Sequence, residues 1–189
     1  MNSVDPTCRS VRIVAFRGDR SSQFASWFIQ SVDDGVNARG PGPTRLECLF
    51  YAGHTGVSVD GGVSTYGFNP DGGMIGFPEL ITRLQRREAF PGIVLDDTAI
   101  FTAAQLRGLQ RIEFEIVVPD PVFQSFSTTL DSERQKSQYS YGFPNGDGEC
   151  NCTTWLERLG LPLLTGRMDE FISLSGIRSY PRRRFGRCI

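Results

Sequence analysis

Residues 148–155 read "GECNCTTW", two cysteines one residue apart where a helix is expected to begin. Asn151 has a good N-cap side chain, and Gly160 and Pro162 are stop signals, so the pattern predicts a helix from Cys152 to about Leu159. Cys152 would then occupy the first turn. There the outward-pointing amides and the helix dipole favour the thiolate, which is the nucleophilic form of cysteine. The same amides suit the oxyanion that forms when a carbonyl is attacked. Cys150, two residues earlier in the preceding loop, has neither advantage.

A thiolate nucleophile needs a base, and the chain has one histidine, His54, in "YAGHTGVSV". Alternation along this strand puts His54, Gly56 and Ser58 on one face and Thr55, Val57 and Val59 on the other. Asp60-Gly61-Gly62 follows as a tight-hairpin signal, with "STYGFNP" as the return strand. A two-residue turn at either Asp60-Gly61 or Gly61-Gly62 gives His54 the same face as Thr65, Gly67 and Asn69. Asn69 is the first choice as the group that orients the imidazole, because an amide oxygen can accept a ring N–H. Thr65 is the second choice, and a bare Cys–His dyad stays open.

Taken together, "GHTGVSV…YGFNP" and, about a hundred residues on, "NCTTWLERLGLP" resemble a circularly permuted papain-like cysteine hydrolase. The resemblance extends to permuted NlpC/P60 amidases, PPPDE deconjugating peptidases and lecithin:retinol acyltransferase-like enzymes, in which the His strand precedes the Cys helix. It is nearest to uncharacterised bacterial proteins regarded as secretion-system effectors, and it covers about residues 45–175. It implies Cys152 as nucleophile, His54 as base, no cofactor and no metal. The substrate it implies is a peptide, protein-conjugate or peptidoglycan amide, with a lipid acyl group as an alternative. As an effector or toxin the protein would leave the cytoplasm by a signal-independent system and meet an immunity protein or the secretion apparatus. A catalytically inactive binding module of the same fold is the competing class.

The elements that would position this pair read as α+β, with a small antiparallel sheet packed against helices. Val11–Phe16 is a first strand, and "SSQFASWFIQSVDDG" a helix with a Ser cap and Gly35 at its end. "RLECLFYA" is grouped with the β-rich run that leads into His54. Pro78–Glu88 and "TAAQLRGLQ" read as short helices, and "RIEFEIVVP" as a half-buried strand. Asp120-Pro121 opens a helix to about Lys136, and "QYSYGF" is a brief strand. A last helix covers about Met168–Leu174, ahead of a basic, solvated tail at 178–189.

The 189 residues fit a single domain, and 39% hydrophobic with 22% charged residues is ordinary globular material. A net charge of -1 argues against a general nucleic-acid binder. No apolar run approaches the roughly 18 residues of a membrane span, and "MNSVDPTCRSVR" lacks a basic-then-apolar signal peptide. Lys136 is the only lysine among 20 basic residues, which fits codon bias or avoidance of lysine modification. The five cysteines do not form a disulfide framework, although a Cys8–Cys188 bridge is open to the termini. A zinc site from Cys48, His54, Cys150 and Cys152 would need an awkward one-residue bite between two ligands. The carboxylate pairs Asp96-Asp97 and Asp131…Glu133 read as solvated loop and helix faces. Neither "DGG" introduces a phosphate-binding helix, and Ser58 lacks nucleophile-elbow spacing.

Overall fold

Strand alternation and helix caps account for most of the architecture in the computed structural model, which describes residues 8–37, 39–40, 42–71, 82–83, 86, 88–142, 149–159 and 183–184. The elements run β1 (Cys8–Arg17), α1 (Ser22–Val36), α2 (Arg45–Ala52), β2 (Gly53–Ser58), β3 (Tyr66–Pro70), β4 (Phe90–Asp96), α3 (Thr98–Leu106), β5 (Arg111–Pro119), α4 (Asp120–Gln135), β6 (Ser140–Tyr141), β7 (Glu149–Cys150), α5 (Cys152–Arg158) and β8 (Arg183–Arg184). The sheet order is β7-β6-β4-β3-β2-β1-β5-β8. Its six inner strands are antiparallel, and the two-residue strands β7 and β8 add to the edges in parallel. The class is α+β.

The long central pairing explains why β1 is buried along most of its length. It is laddered on one side to β2 (Phe16 opposite His54) and on the other to β5 (Ile13 opposite Phe114). Its odd and even residues therefore feed two cores. Val11 and Ile13 join Val57, Phe68, Val94, Ile116 and Val118 beneath α4 and α5, which contribute Phe126, Leu130, Trp155 and Leu156. Val14 and Phe16 pack instead with Phe24 of α1, Leu49 and Phe50 of α2, and Phe101 and Ala104 of α3. Helices thus cover both faces. Among the described residues, none of the helices is long and apolar enough to cross a membrane.

Several expectations change. "RLECLFYA" is a helix rather than part of a β run. Thr44 accepts from the Glu47 amide while the Glu47 carboxylate accepts from the Thr44 amide, a complete capping box. "FPGIVLD" forms β4 despite its Pro-Gly, because Val94 and Phe90 are buried, Gly92–Asp96 pair with β3, and Phe90 and Pro91 pair with β6. The 58–66 connection keeps the expected parity, with Gly56 opposite Gly67. It is wider than a two-residue turn: the Ser58 hydroxyl accepts from the Gly62 amide, and Gly61 and Gly62 take positive φ. Helix α3 begins at Thr98, earlier than "TAAQLRGLQ" implies. Glu133 is buried and accepts from the Ser137 hydroxyl, so it is not a solvated partner of Asp131.

Cys8 is disulfide-bonded, whereas Cys48 and Cys152 are not. In the basic tail, Arg183 and Arg184 pair with β5. The helices expected at about Pro78–Glu88 and Met168–Leu174 lie largely or wholly outside the described residues.

Candidate active site

Cys152 opens α5 as the sequence predicts. The Asn151 side-chain oxygen accepts from the Thr154 amide at 2.8 Å, and the Thr154 hydroxyl accepts from the Asn151 amide at 2.9 Å. This reciprocal cap fixes the start of the helix one residue before the sulfur. Trp155, one turn on, is fully buried and stacks on Phe68 of β3 with ring centroids 5.6 Å apart. The stacking anchors α5 to the sheet next to β2.

His54 is 1% exposed and lies against the rings of Phe101 and Phe16, at centroid distances of 5.6 and 6.3 Å. The β2–β3 ladder ends at Gly56–Gly67, so His54 and Asn69 lie beyond its last pair. The imidazole Nε2 is 2.7 Å from Oδ2 of Asp97, to which it donates as the charged or Nε2-protonated ring. Nε2 is thereby committed. Nδ1 is buried without a partner of full hydrogen-bond geometry. The Cys152 sulfur is nevertheless close enough for its hydrogen bond and its charge to act on the ring.

Asp97 is the residue that sequence reasoning missed. It looked like half of a solvated acidic pair, yet it is 1% exposed. Its neighbour takes the helix-capping work. Asp96 Oδ1 accepts from both the amide and the hydroxyl of Thr98, at 3.0 and 2.6 Å, so the Asp97 side chain makes no cap bond to α3. The Asp97 amide donates to the Thr65 carbonyl, and the Thr65 amide donates to the Thr98 hydroxyl. Thr65, the second-choice orienter, is thus tied through its backbone to the start of α3. A readable β4 would have been the signal, since Asp97 follows directly on that strand beside β3.

Asn69 belongs to the cluster but not in the expected role. Its amide nitrogen donates to Asp97 Oδ2 at 2.7 Å and to the Gly67 carbonyl at 2.9 Å, so it steadies the carboxylate rather than the imidazole. Arg45 of α2 donates to the other oxygen, Oδ1, at 3.1 Å. The buried carboxylate therefore receives His54 and Asn69 on one oxygen and Arg45 on the other, which is what keeps a buried charge tolerable.

The electrostatics follow from this packing. Burial by itself pushes the His54 pKa down, but the bonds to Asp97 and Cys152 and the charges of both outweigh it, raising the value from 6.5 to about 9. The imidazolium is thus the resting form at neutral pH. Cys48 goes the other way. Burial first, and the charge of Glu47 second, push its thiol up to about 11, leaving it protonated and unreactive at neutral pH. Burial of the Tyr141 hydroxyl raises that group too, helped by Cys152 and Cys48 and opposed by Arg45. Among the described residues, no three His, Cys, Asp or Glu side chains are grouped to hold a metal ion.

Gly67 is what lets the imidazole and carboxylate meet. A Cβ there would overlap both Asp97 Oδ2 and His54 Nε2. Gly67→Ala is expected to force the two side chains apart, costing about 1–3 kcal/mol by overpacking and lowering Cys152 reactivity at least about tenfold. Thermal unfolding and the alkylation rate at Cys152 check this. An unchanged protein in both assays would mean the contact is not needed.

No family model, curated protein or solved structure matches this chain.

Proposed function

We propose that this protein is a cysteine hydrolase that cleaves an amide through a thioacyl intermediate, on a permuted papain-like arrangement in which a His strand precedes a Cys helix. One observation carries the reading: the single histidine is held through one nitrogen by a buried carboxylate, and a helix-opening cysteine is near enough to act on the same ring. The geometry supports a Cys152–His54–Asp97 triad, with Asn69 and Arg45 positioning Asp97.

In the reaction, the Cys152 thiolate attacks the carbonyl carbon and a C–S bond forms. The tetrahedral oxyanion collapses, the C–N bond breaks, and the departing amine takes the proton from the His54 imidazolium. Water then gives a proton to His54 and attacks the thioester, and the C–S bond breaks. The carboxylic acid product leaves, and Cys152 and His54 are restored. Asp97 holds the ring throughout by its contact with Nε2.

The acyl group would come from a peptide, a protein conjugate or peptidoglycan. A role as a secreted effector rests on the sequence resemblance.

The pH dependence separates the steps. Alkylation needs only the thiolate, whereas amide cleavage also needs the imidazolium proton. Hydrolysis is expected to fall as pH rises through about 9, where His54 loses that proton, while chloroacetamide labelling of Cys152 does not fall. Site-resolved mass spectrometry of the labelled protein, beside a pH–rate profile, tests the proposal. A Cys152 that resists thiol-directed electrophiles at every pH would sink it and leave a binding module in its place.

A further inference from the structure

Cys8 is disulfide-bonded, and only two residues can be its partner. The chain has five cysteines, and Cys48 and Cys152 carry no disulfide. Cys150 and Cys188 are left. Cys150 lies on β7 at one edge of the sheet, with β6, β4, β3 and β2 standing between it and β1. Helices cover both faces, so the sheet is open. Five strand-to-strand steps put the two backbones roughly 24 Å apart. A disulfide tolerates at most about 7 Å between Cα atoms, so Cys150 is out of reach.

The other direction is short. Cys8 is 8% exposed and packs on Val117 of β5. Val117 pairs with Arg184 of β8, while Cys8 itself stands opposite Pro119. Two strand steps and two residues of rise therefore separate Cys8 from Arg184, roughly 12 Å in all. β8 is parallel to β5, so it runs toward the Pro119 end, where Cys8 lies. Cys188 falls outside the described residues, four positions beyond Arg184. Four residues of chain span up to about 13 Å, which is enough.

We infer that Cys8 and Cys188 form a redox-dependent clasp that fastens β8 to the β1–β5 pair. A two-residue strand makes few ladder bonds of its own, so the covalent link is what holds β8 at the edge of β5. Closure follows ordinary exchange with a small disulfide such as oxidised glutathione. The Cys8 thiolate attacks it, an S–S bond forms, and one glutathione thiolate leaves. The Cys188 thiolate then displaces the second glutathione, so two thiols are oxidised as one glutathione disulfide is reduced. Cys152 takes no part, and the clasp stands or falls independently of the hydrolase reading.

Peptide mapping without reduction tests the pairing. The full chain is equilibrated with an excess of oxidised glutathione, its remaining thiols are capped with N-ethylmaleimide, and it is cut with trypsin. Arg9 and Arg187 are cleavage sites, so peptide 1–9 is expected to be linked to the dipeptide 188–189. Cys150 falls in the separate peptide 137–158. Peptide 1–9 linked to 137–158, or carrying maleimide or glutathione on Cys8, overturns the inference. Thermal unfolding gives a second readout. Dithiothreitol should lower the wild-type midpoint by about 10 °C, since a link across this much chain restricts the unfolded state strongly. Cys8→Ser, Cys188→Ser and the double variant should share nearly one lowered midpoint and lose the dithiothreitol effect, because all three remove the same bond. Cys150→Ser should keep it. A wild type indifferent to dithiothreitol, an effect that survives in Cys188→Ser, or one that vanishes in Cys150→Ser overturns the clasp.

Discussion

Cys152→Ala is expected to remove hydrolysis of an activated ester such as p-nitrophenyl acetate by at least about 10³-fold at the active site, while the protein stays folded. The sulfur is the atom that bonds to the acyl carbon, and the other free thiol among the described residues, Cys48, does not replace it. Cys48 is held protonated by burial, with its thiol raised to about 11. The structural cost should be small. Cys152 is already 8% exposed at the head of a helix whose cap, Asn151 to Thr154, does not involve its side chain. A loss of about 1–2 kcal/mol is the expected scale for removing one buried heavy atom. Mass spectrometry of wild type stopped mid-reaction should show an acyl group on the Cys152 peptide, absent from the variant. An ester-hydrolysis rate shared by both proteins would remove Cys152 from the mechanism.

Asp97→Asn is expected to have the second largest effect, and on two quantities at once. The carboxylate oxygens accept from His54, Asn69 and Arg45, and an amide can offer only one acceptor in their place. The NH₂ group would then face either Arg45 or, in the other amide orientation, the buried donors of His54 and Asn69. A loss of about 3 kcal/mol in stability is the scale for breaking such a buried network, with the half-exposed Arg45 contributing least. Activity should fall about 10²–10⁴-fold, because the ring loses the partner that holds it in orientation and in charge state.

The pH dependence of stability gives this prediction a second signature. His54 has a folded-state pKa of about 9 against an ordinary 6.5, so folding binds its proton more tightly. The stabilisation, on the order of 3 kcal/mol, is fully present below pH 6.5 and is lost as pH rises through 9. In Asp97→Asn the raised value should drop, flattening the stability curve across that window. His54 is the only histidine, so its imidazole resonance can be titrated by NMR without assignment ambiguity. A wild-type midpoint near 6.5, or a midpoint that Asp97→Asn does not move, would show that Asp97 does not govern the ring.

How much of this was legible in the sequence differs by element. The cap at Ser21, the strand at Arg111–Pro119, the Asp120-Pro121 helix start and the Asn151 cap follow from local signals, and all four reappear in the structure. Each depends on residues within about one turn or one strand of each other, so chain position alone determines them. The capping box Thr44–Glu47 was equally local and equally readable, but the apolar run "CLFYAG" beside it suggested a strand. The parity that put Asn69 on the face of His54 also came through, because shifting a hairpin by two residues does not change which face a side chain takes.

What the sequence by itself determined, then, is the local caps, the strand parity and the positions of His54 and Cys152, the pair proposed as base and nucleophile. The tertiary structure decided which carboxylate joins them. Asp96 and Asp97 are chemically identical neighbours, and nothing in "LDDT" says which turns inward. That depends on β4 lying beside β3, on the absence of a side chain at Gly67, and on Thr98 claiming Asp96. Arg45 and His54 come from different elements and converge on Asp97 from 52 and 43 residues away. A buried charge is stabilised only by partners assembled through folding, so its role is set by three-dimensional packing rather than by its neighbours along the chain.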